Sequence, residues 1–137
     1  MLDKHEVTAM VAASNIERAK KFYTDKLGLE VETESPGGIF FKCKGSRLFV
    51  YPTQFAGTAK NTVAGWTTDH IEKDVQELRA KGVVFEEYDS PGLKTVNGVA
   101  QTGPDKAAWF KDSEGKRAAR NDSIKCRSSR QNTTLLW

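Results

Sequence analysis

Residues 14–32 read SNIERAKKFYTDKLGLEVE, and this stretch holds a helix start, an apolar helix face, a stop and a strand in succession. Ser14-x-x-Glu17 has the form of a capping box, in which hydroxyl and carboxylate satisfy free N–H groups at a helix N-terminus. Ile16, Ala19, Phe22, Tyr23 and Leu27 then fall on one helical face, and Gly28 supplies a left-handed stop. Leu29 to Thr33 continues as an extended run that ends at Ser35-Pro36-Gly37.

The same order returns 55 residues later. Asp69-x-x-Glu72 repeats the box, Ile71, Val75 and Leu78 repeat the face, and Gly82 repeats the stop. Val83 to Glu87 is the second extended run, and Ser90-Pro91-Gly92 closes it. A strand precedes each helix, Val7 to Ala12 and Thr62 to Thr68, and further strands follow. In the first copy these are Gly38 to Lys44 and Ser46 to Tyr51. In the second they are Lys106 to Asp112 and, after a turn at Ser113-Glu114-Gly115, Lys116 to Asn121. Each copy therefore reads β-α-β-β-β. The expected fold class is α+β: two tandem modules, about 5–53 and 60–122, in one domain spanning 1–122, with a mixed sheet and an open concave cleft.

Charge divides the chain. Residues 1–116 hold 16 basic and 17 acidic side chains, whereas the last 21 residues hold 5 and 1. The basic excess belongs to the end of the chain, so its overall charge of +3 is no sign of a nucleic-acid-binding body. Residues 123–137 have the composition of a basic polar tail, disordered or loosely packed. A nucleic-acid or protein contact through that tail is the least favoured functional alternative. Apolar residues make up 38% of the chain, and no apolar run approaches the ~20 residues of a membrane span. No secretory leader is read at Met1 to Glu6, and the expected location is the cytoplasm without membrane contact. Cys43 and Cys126 form no Cys-x-x-Cys and are read as reduced thiols.

Strand alternation nominates a site. In Arg47 to Tyr51, Leu48 and Val50 suit packing under a helix, which leaves Arg47, Phe49 and Tyr51 on the other face. Thr8 and Met10 share a face of the first strand, and Ala64 and Trp66 share one on the strand before the second helix. Thr8, Met10, Arg47, Phe49, Tyr51, Ala64 and Trp66 are accordingly the candidate ligand-binding residues, with Arg47 suited to an anionic group. The competing reading is that these aromatics fill the seam between the two modules. Glu30, Glu32 and Glu34 alternate along one strand as a solvated face.

The segment SNIERAKKFYTDKLGLEVE and the ending AWFKDSEG (residues 108–115) resemble the glyoxalase / bleomycin-resistance / extradiol-dioxygenase superfamily, also called vicinal oxygen chelate. Ser113 stands where that family's turn carries Pro. The resemblance implies lyases, epimerases, dioxygenases or ligand-sequestering proteins, and a homodimer whose pairing encloses each cleft. Metal-dependent members bind a divalent cation through His, Gln or Glu at four strand positions. Carried over, these fall on Thr8, Phe49, Ala64 and Ala119, none of which ligates a transition metal. His5 and His70 lie away from that face. The expectation is no metal and no cofactor, with metal-independent binding of a small apolar or aromatic molecule; a metal-dependent lyase or dioxygenase is the alternative.

Overall fold

The computed structural model describes residues 1–102, 105–115, 127–128 and 133–136. The first module follows the order read from the sequence. Strand β1 (Thr8–Ala13) leads to helix α1 (Ile16–Lys21), which widens into a π-helical turn over Phe22–Lys26, and β2 (Glu30–Ser35), β3 (Gly38–Cys43) and β4 (Ser46–Pro52) follow. The sheet order is β1-β4-β3-β2, with β1 parallel to β4 and the other pairs antiparallel. One face packs beneath the helix: Val11, Ile39, Phe41, Leu48 and Val50 are buried with Ala19, Phe22 and Tyr23. The π turn brings two consecutive aromatics, Phe22 and Tyr23, into this core, and Tyr23 meets Phe41 at 5.4 Å between ring centroids. Gly28, at φ +71°, ends the helix.

The capping chemistry differs from the sequence reading. Asn15, not Ser14, caps α1, with its Oδ1 accepting from the Arg18 N–H at 2.9 Å. Ser14 is turned to a different partner. The second module has β5 (Gly65–Thr68) and helix α2 (Ile71–Ala80), preceded by His70 without a side-chain cap; Thr68 Oγ1 accepts from the His70 N–H instead. Buried Ile71 and Val75 and half-buried Leu78 form the predicted inner face, and Gly82 the predicted stop at φ +85°.

Beyond α2 the modules diverge. The extended run 83–87 makes only a bridge, Phe85 to Phe110, before β6 (Asp89–Ser90), β7 (Leu93–Val96), β8 (Val99–Thr102) and β9 (Asp105–Ala108) form a sheet in chain order. The β7–β8 hairpin, absent from the sequence reading, turns through Asn97 (φ 52°) and Gly98 (φ 78°), the two positive values a type I′ turn requires. Near the chain end, β10 (Arg127–Ser128) pairs with β11 (Thr133–Leu136), and β11 runs antiparallel on β5. The first module's β1 instead has a parallel neighbour. The strand read at Lys116–Asn121 lies outside the described residues.

Gly38 opens β3 at φ +143°, and an added Cβ would stand 2.4 Å from the Val50 carbonyl oxygen and 2.8 Å from the Phe49 ring. Backbone and ring both block it, so Gly38→Ala is expected to cost at least about 2 kcal/mol. Thermal unfolding should show a melting temperature lower by roughly 8 °C.

Candidate functional site

The helix-free face of the first sheet carries a continuous aromatic stripe. Registry sets Thr8, Met10 and Ala12 beside Arg47, Phe49 and Tyr51. Phe40, opposite Phe49 on β3, stacks on it at 4.4 Å, and Phe49 stacks on Tyr51 at 6.1 Å. Arg47 closes the stripe at one end. Its guanidinium lies 5.9 Å from the Phe40 ring centroid, and its Nε meets Glu32 at 2.9 Å. This arrangement commits Arg47 to a ring and a carboxylate of its own sheet.

At the other end of the stripe lies a cavity of about 290 Å³. Met10 and Tyr51 form its sheet wall. Phe55 and Val63 come from the loop between β4 and β5, and Lys111, Asp112 and Glu114 bound the far side. Met10, Phe55 and Val63 are 59%, 66% and 42% exposed, so apolar surface collects at this opening rather than being scattered. The loop holds its own shape: the Thr53 N–H donates to the Ala13 carbonyl at 2.9 Å and Thr58 Oγ1 donates to the Phe55 carbonyl at 2.7 Å. Thr53, Thr58 and Asn61 add neutral polar groups to the lining.

Of the residues nominated from sequence, Met10 and Tyr51 line this cavity, and Thr8, Arg47 and Phe49 continue the same sheet face. Ala64 and Trp66 are not brought there. Trp66 stacks on Phe110 at 6.5 Å and shares a second cavity with α2, and Ala64, just before β5, packs against the core. The expected strand over Thr62 to Thr68 starts only at Gly65, and in the loop before it Val63 lines the cleft. The sequence reading missed Phe40, Phe55 and Val63. Alternation from buried Ile39 and Phe41 points to Phe40, whereas Phe55 sits in a loop without periodicity.

The two acids at the cavity wall are fully engaged. Asp112 Oδ2 accepts from the Tyr23 hydroxyl at 2.8 Å, and Oδ1 accepts from the N–H groups of Glu114 and Gly115 at 2.9 and 3.1 Å. Burial is the main influence on Asp112 and raises its carboxyl above the usual range, although those bonds oppose it. The Tyr23 hydroxyl is pushed well up by its own burial and then by the Asp112 charge. Glu114, only 3% exposed, accepts from the Ser14 N–H at 2.9 Å, Ser14 Oγ at 2.6 Å and Arg18 Nη2 at 2.6 Å. Burial pushes Glu114 up, but the donors from Ser14 and Arg18 outweigh it and hold its carboxyl below the usual range.

A divalent cation finds no donor set at the positions that metal-dependent relatives use. Thr8, Phe49 and either Ala64 or its neighbour Val63 offer one hydroxyl and apolar groups. Ala119 lies outside the described residues. Among the described residues no three His, Cys, Asp or Glu are grouped to hold a metal.

Fold and cleft define a protein with two β-α-β-β-β-derived modules and an open aromatic sheet face. The chain belongs to the glyoxalase/bleomycin resistance protein/dioxygenase superfamily, whose family model matches residues 7–116. Among solved structures it is similar to TnmS3, an antibiotic-binding protein from Streptomyces sp. CB03234, at 20% identity and a TM-score of 0.60, covering 91% of this chain and 95% of that one. It is also similar to a glyoxalase/bleomycin resistance protein/dioxygenase from Alicyclobacillus acidocaldarius, at 13% identity, a TM-score of 0.59 and 93% of each chain. A third, the oxidase ChaP-H2, has 15% identity and a TM-score of 0.58 over 93% and 94% of the two chains. No curated protein matches the sequence. No helix among the described residues is long and apolar enough to cross a membrane.

Glu114 yields a pH prediction. Its folded carboxyl is depressed, so its contribution is full above the unfolded Glu value of about 4.3 and is lost as pH falls through the folded value. Glu114→Gln is expected to lose about 2–3 kcal/mol at pH 7, mainly from Arg18 and Ser14. The gap to wild type should narrow below about pH 4. Asp112 has the opposite sign: ionisation costs stability as pH rises from the unfolded Asp value of about 3.9. Asp112→Asn should thus compare better with wild type at pH 7 than at pH 4 in chemical denaturation.

Proposed function

We propose that the protein binds and sequesters a small apolar or aromatic molecule in the first cavity without a metal. The observation that carries this reading is the stacked stripe Phe40–Phe49–Tyr51 leading into an opening rimmed by exposed Met10, Phe55 and Val63. Flat aromatic ligands gain from offset stacking on such rings and from removal of apolar area from water. Neutral hydroxyl and amide groups at Thr53, Thr58 and Asn61 orient the ligand without a strong charge. Asp112 and Glu114 shape the wall but are spent on Tyr23, Ser14, Arg18 and backbone N–H groups, so they make poor general bases for a bound molecule. The similarity to an antibiotic-binding protein agrees with this reading, and that to an oxidase keeps the catalytic alternative as the outcome to test.

The exposed apolar rim favours a homodimer, with a second copy covering the opening. Light scattering at micromolar concentration should give twice the chain mass; a monomer would oppose that part of the reading.

Two measurements test the function. Titration with 8-anilinonaphthalene-1-sulfonate should show saturable fluorescence enhancement, weakened by about 1–3 kcal/mol in Tyr51→Ala through lost stacking and buried area. Equal enhancement in wild type and variant would place the probe elsewhere. Elemental analysis of protein purified without chelator should find substoichiometric Fe, Mn, Ni and Zn. One equivalent per chain, together with activity restored by that metal, would favour the lyase or dioxygenase reading.

A further inference from the structure

The second cavity, of about 300 Å³, lies between β5, α2 and the end of the first helix. Its floor is apolar: Leu27 and Leu29 from the end of the first helix, Leu78 from α2, and Trp66 stacked on Phe110. Four of these five are only half-buried, so they keep surface to offer a ligand. Into this setting α2 presents Asp74. The Asp74 carboxylate is half-buried and accepts from Thr68 Oγ1, a neutral donor. Among the described residues no Lys, Arg or His lies within ion-pair distance of it. Nearby cations are directed elsewhere: Lys73 pairs with Glu77 at 3.7 Å, and Lys26 donates to the Gly82 carbonyl at 3.1 Å. The lining holds two acids, Asp74 and Glu77, against one base, the exposed Lys81, which forms no ion pair with either among the described residues; Asp74 is the more buried of the two acids.

A carboxylate withdrawn from water beside apolar walls is costly unless a cation joins it. An indole face next to it attracts the same kind of partner. We propose that this second cavity binds a small molecule with a flat apolar body and one protonated amine. The body lies against Trp66 and Leu78, and the ammonium donates to Asp74. This site is independent of the first cavity, with which it shares no lining residue.

Three isosteric probes separate charge from shape: 1-naphthylmethylamine, 1-naphthalenemethanol and 1-naphthoic acid. Calorimetric titration should rank the amine at least about tenfold tighter than the alcohol, with the acid weakest. Asp74→Asn retains an acceptor for Thr68, and should weaken the amine about tenfold while leaving the alcohol unchanged. Leu78→Trp, which fills the cavity, should abolish the preference for the amine over the alcohol. Tyr51→Ala, in the first cavity, should leave that preference intact. Equal affinity for amine and alcohol, an Asp74→Asn variant that binds the amine as wild type does, loss of the preference in Tyr51→Ala, or no binding of any probe at millimolar concentration would each overturn the proposal. Loss of the anilinonaphthalene response alone would instead count against the first site, so the two readings fail separately.

Discussion

The ion pair between Glu114 and Arg18, with Ser14 bonded to the same carboxylate, ties the end of the second module to the start of the first helix. Its partners are 96 and 100 residues apart in sequence. Two residues earlier, Asp112 reaches the Tyr23 hydroxyl in the centre of the first core. The Asp112 carboxylate also accepts from the two N–H groups of its own turn, so one side chain fixes both the turn and its docking. Removing either acid would strand buried donors, and an unpaired buried polar group costs more than the bond itself contributes. The far wall of the first cavity is this same clasp, so the shape of the cleft and the joining of the modules depend on a few charged atoms.

The clasp also explains why Ser14 does not cap its helix. A hydroxyl next to a buried carboxylate gains a charge-assisted bond, stronger than one to a neutral N–H. Asn15 stands one residue on and supplies the missing acceptor to the Arg18 N–H. The helix keeps its start, and Ser14 is free for long-range work. Arg18 follows the same logic, with its backbone N–H serving the cap and its guanidinium serving Glu114.

Much of the fold was legible because the chain states it twice. The 55-residue repeat of caps, helix faces, glycine stops and Ser-Pro-Gly turns locates both helices and the first module's four strands. The same repeat carried information that alternation alone did not use. Trp66 stands 55 residues after Val11, a core residue only 3% exposed, so the register turns Trp66 toward its helix; Thr8 corresponds to Val63, which faces the cleft. Alternation sets the period of a strand but not which face meets the helix; the correspondence with the first module supplies that phase. Val96-Asn97-Gly98-Val99 is a strong hairpin signal by turn chemistry, but it breaks the symmetry of the repeat, so the repeat gives no sign of it. The loop residue Phe55 and the contact of Glu114 with Ser14 have no periodic signature, since they are set by tertiary docking.

Strand β5 is where that asymmetry has consequences. In the first module the strand preceding the helix lies parallel to β4 and carries Val11 in a closed core. In the second, the corresponding strand lies antiparallel to β11, and the residue in the Val11 position is a tryptophan with a cavity beside it. A larger side chain at a core position does not by itself leave space; it overfills unless its surroundings retreat. Here the ring is accommodated by stacking on Phe110 and by opening toward Leu27, Leu29 and Leu78. The departure from the first module therefore converts a closed helix–sheet seam into a concave apolar site, while Val63 in the loop before β5 lines the first cavity.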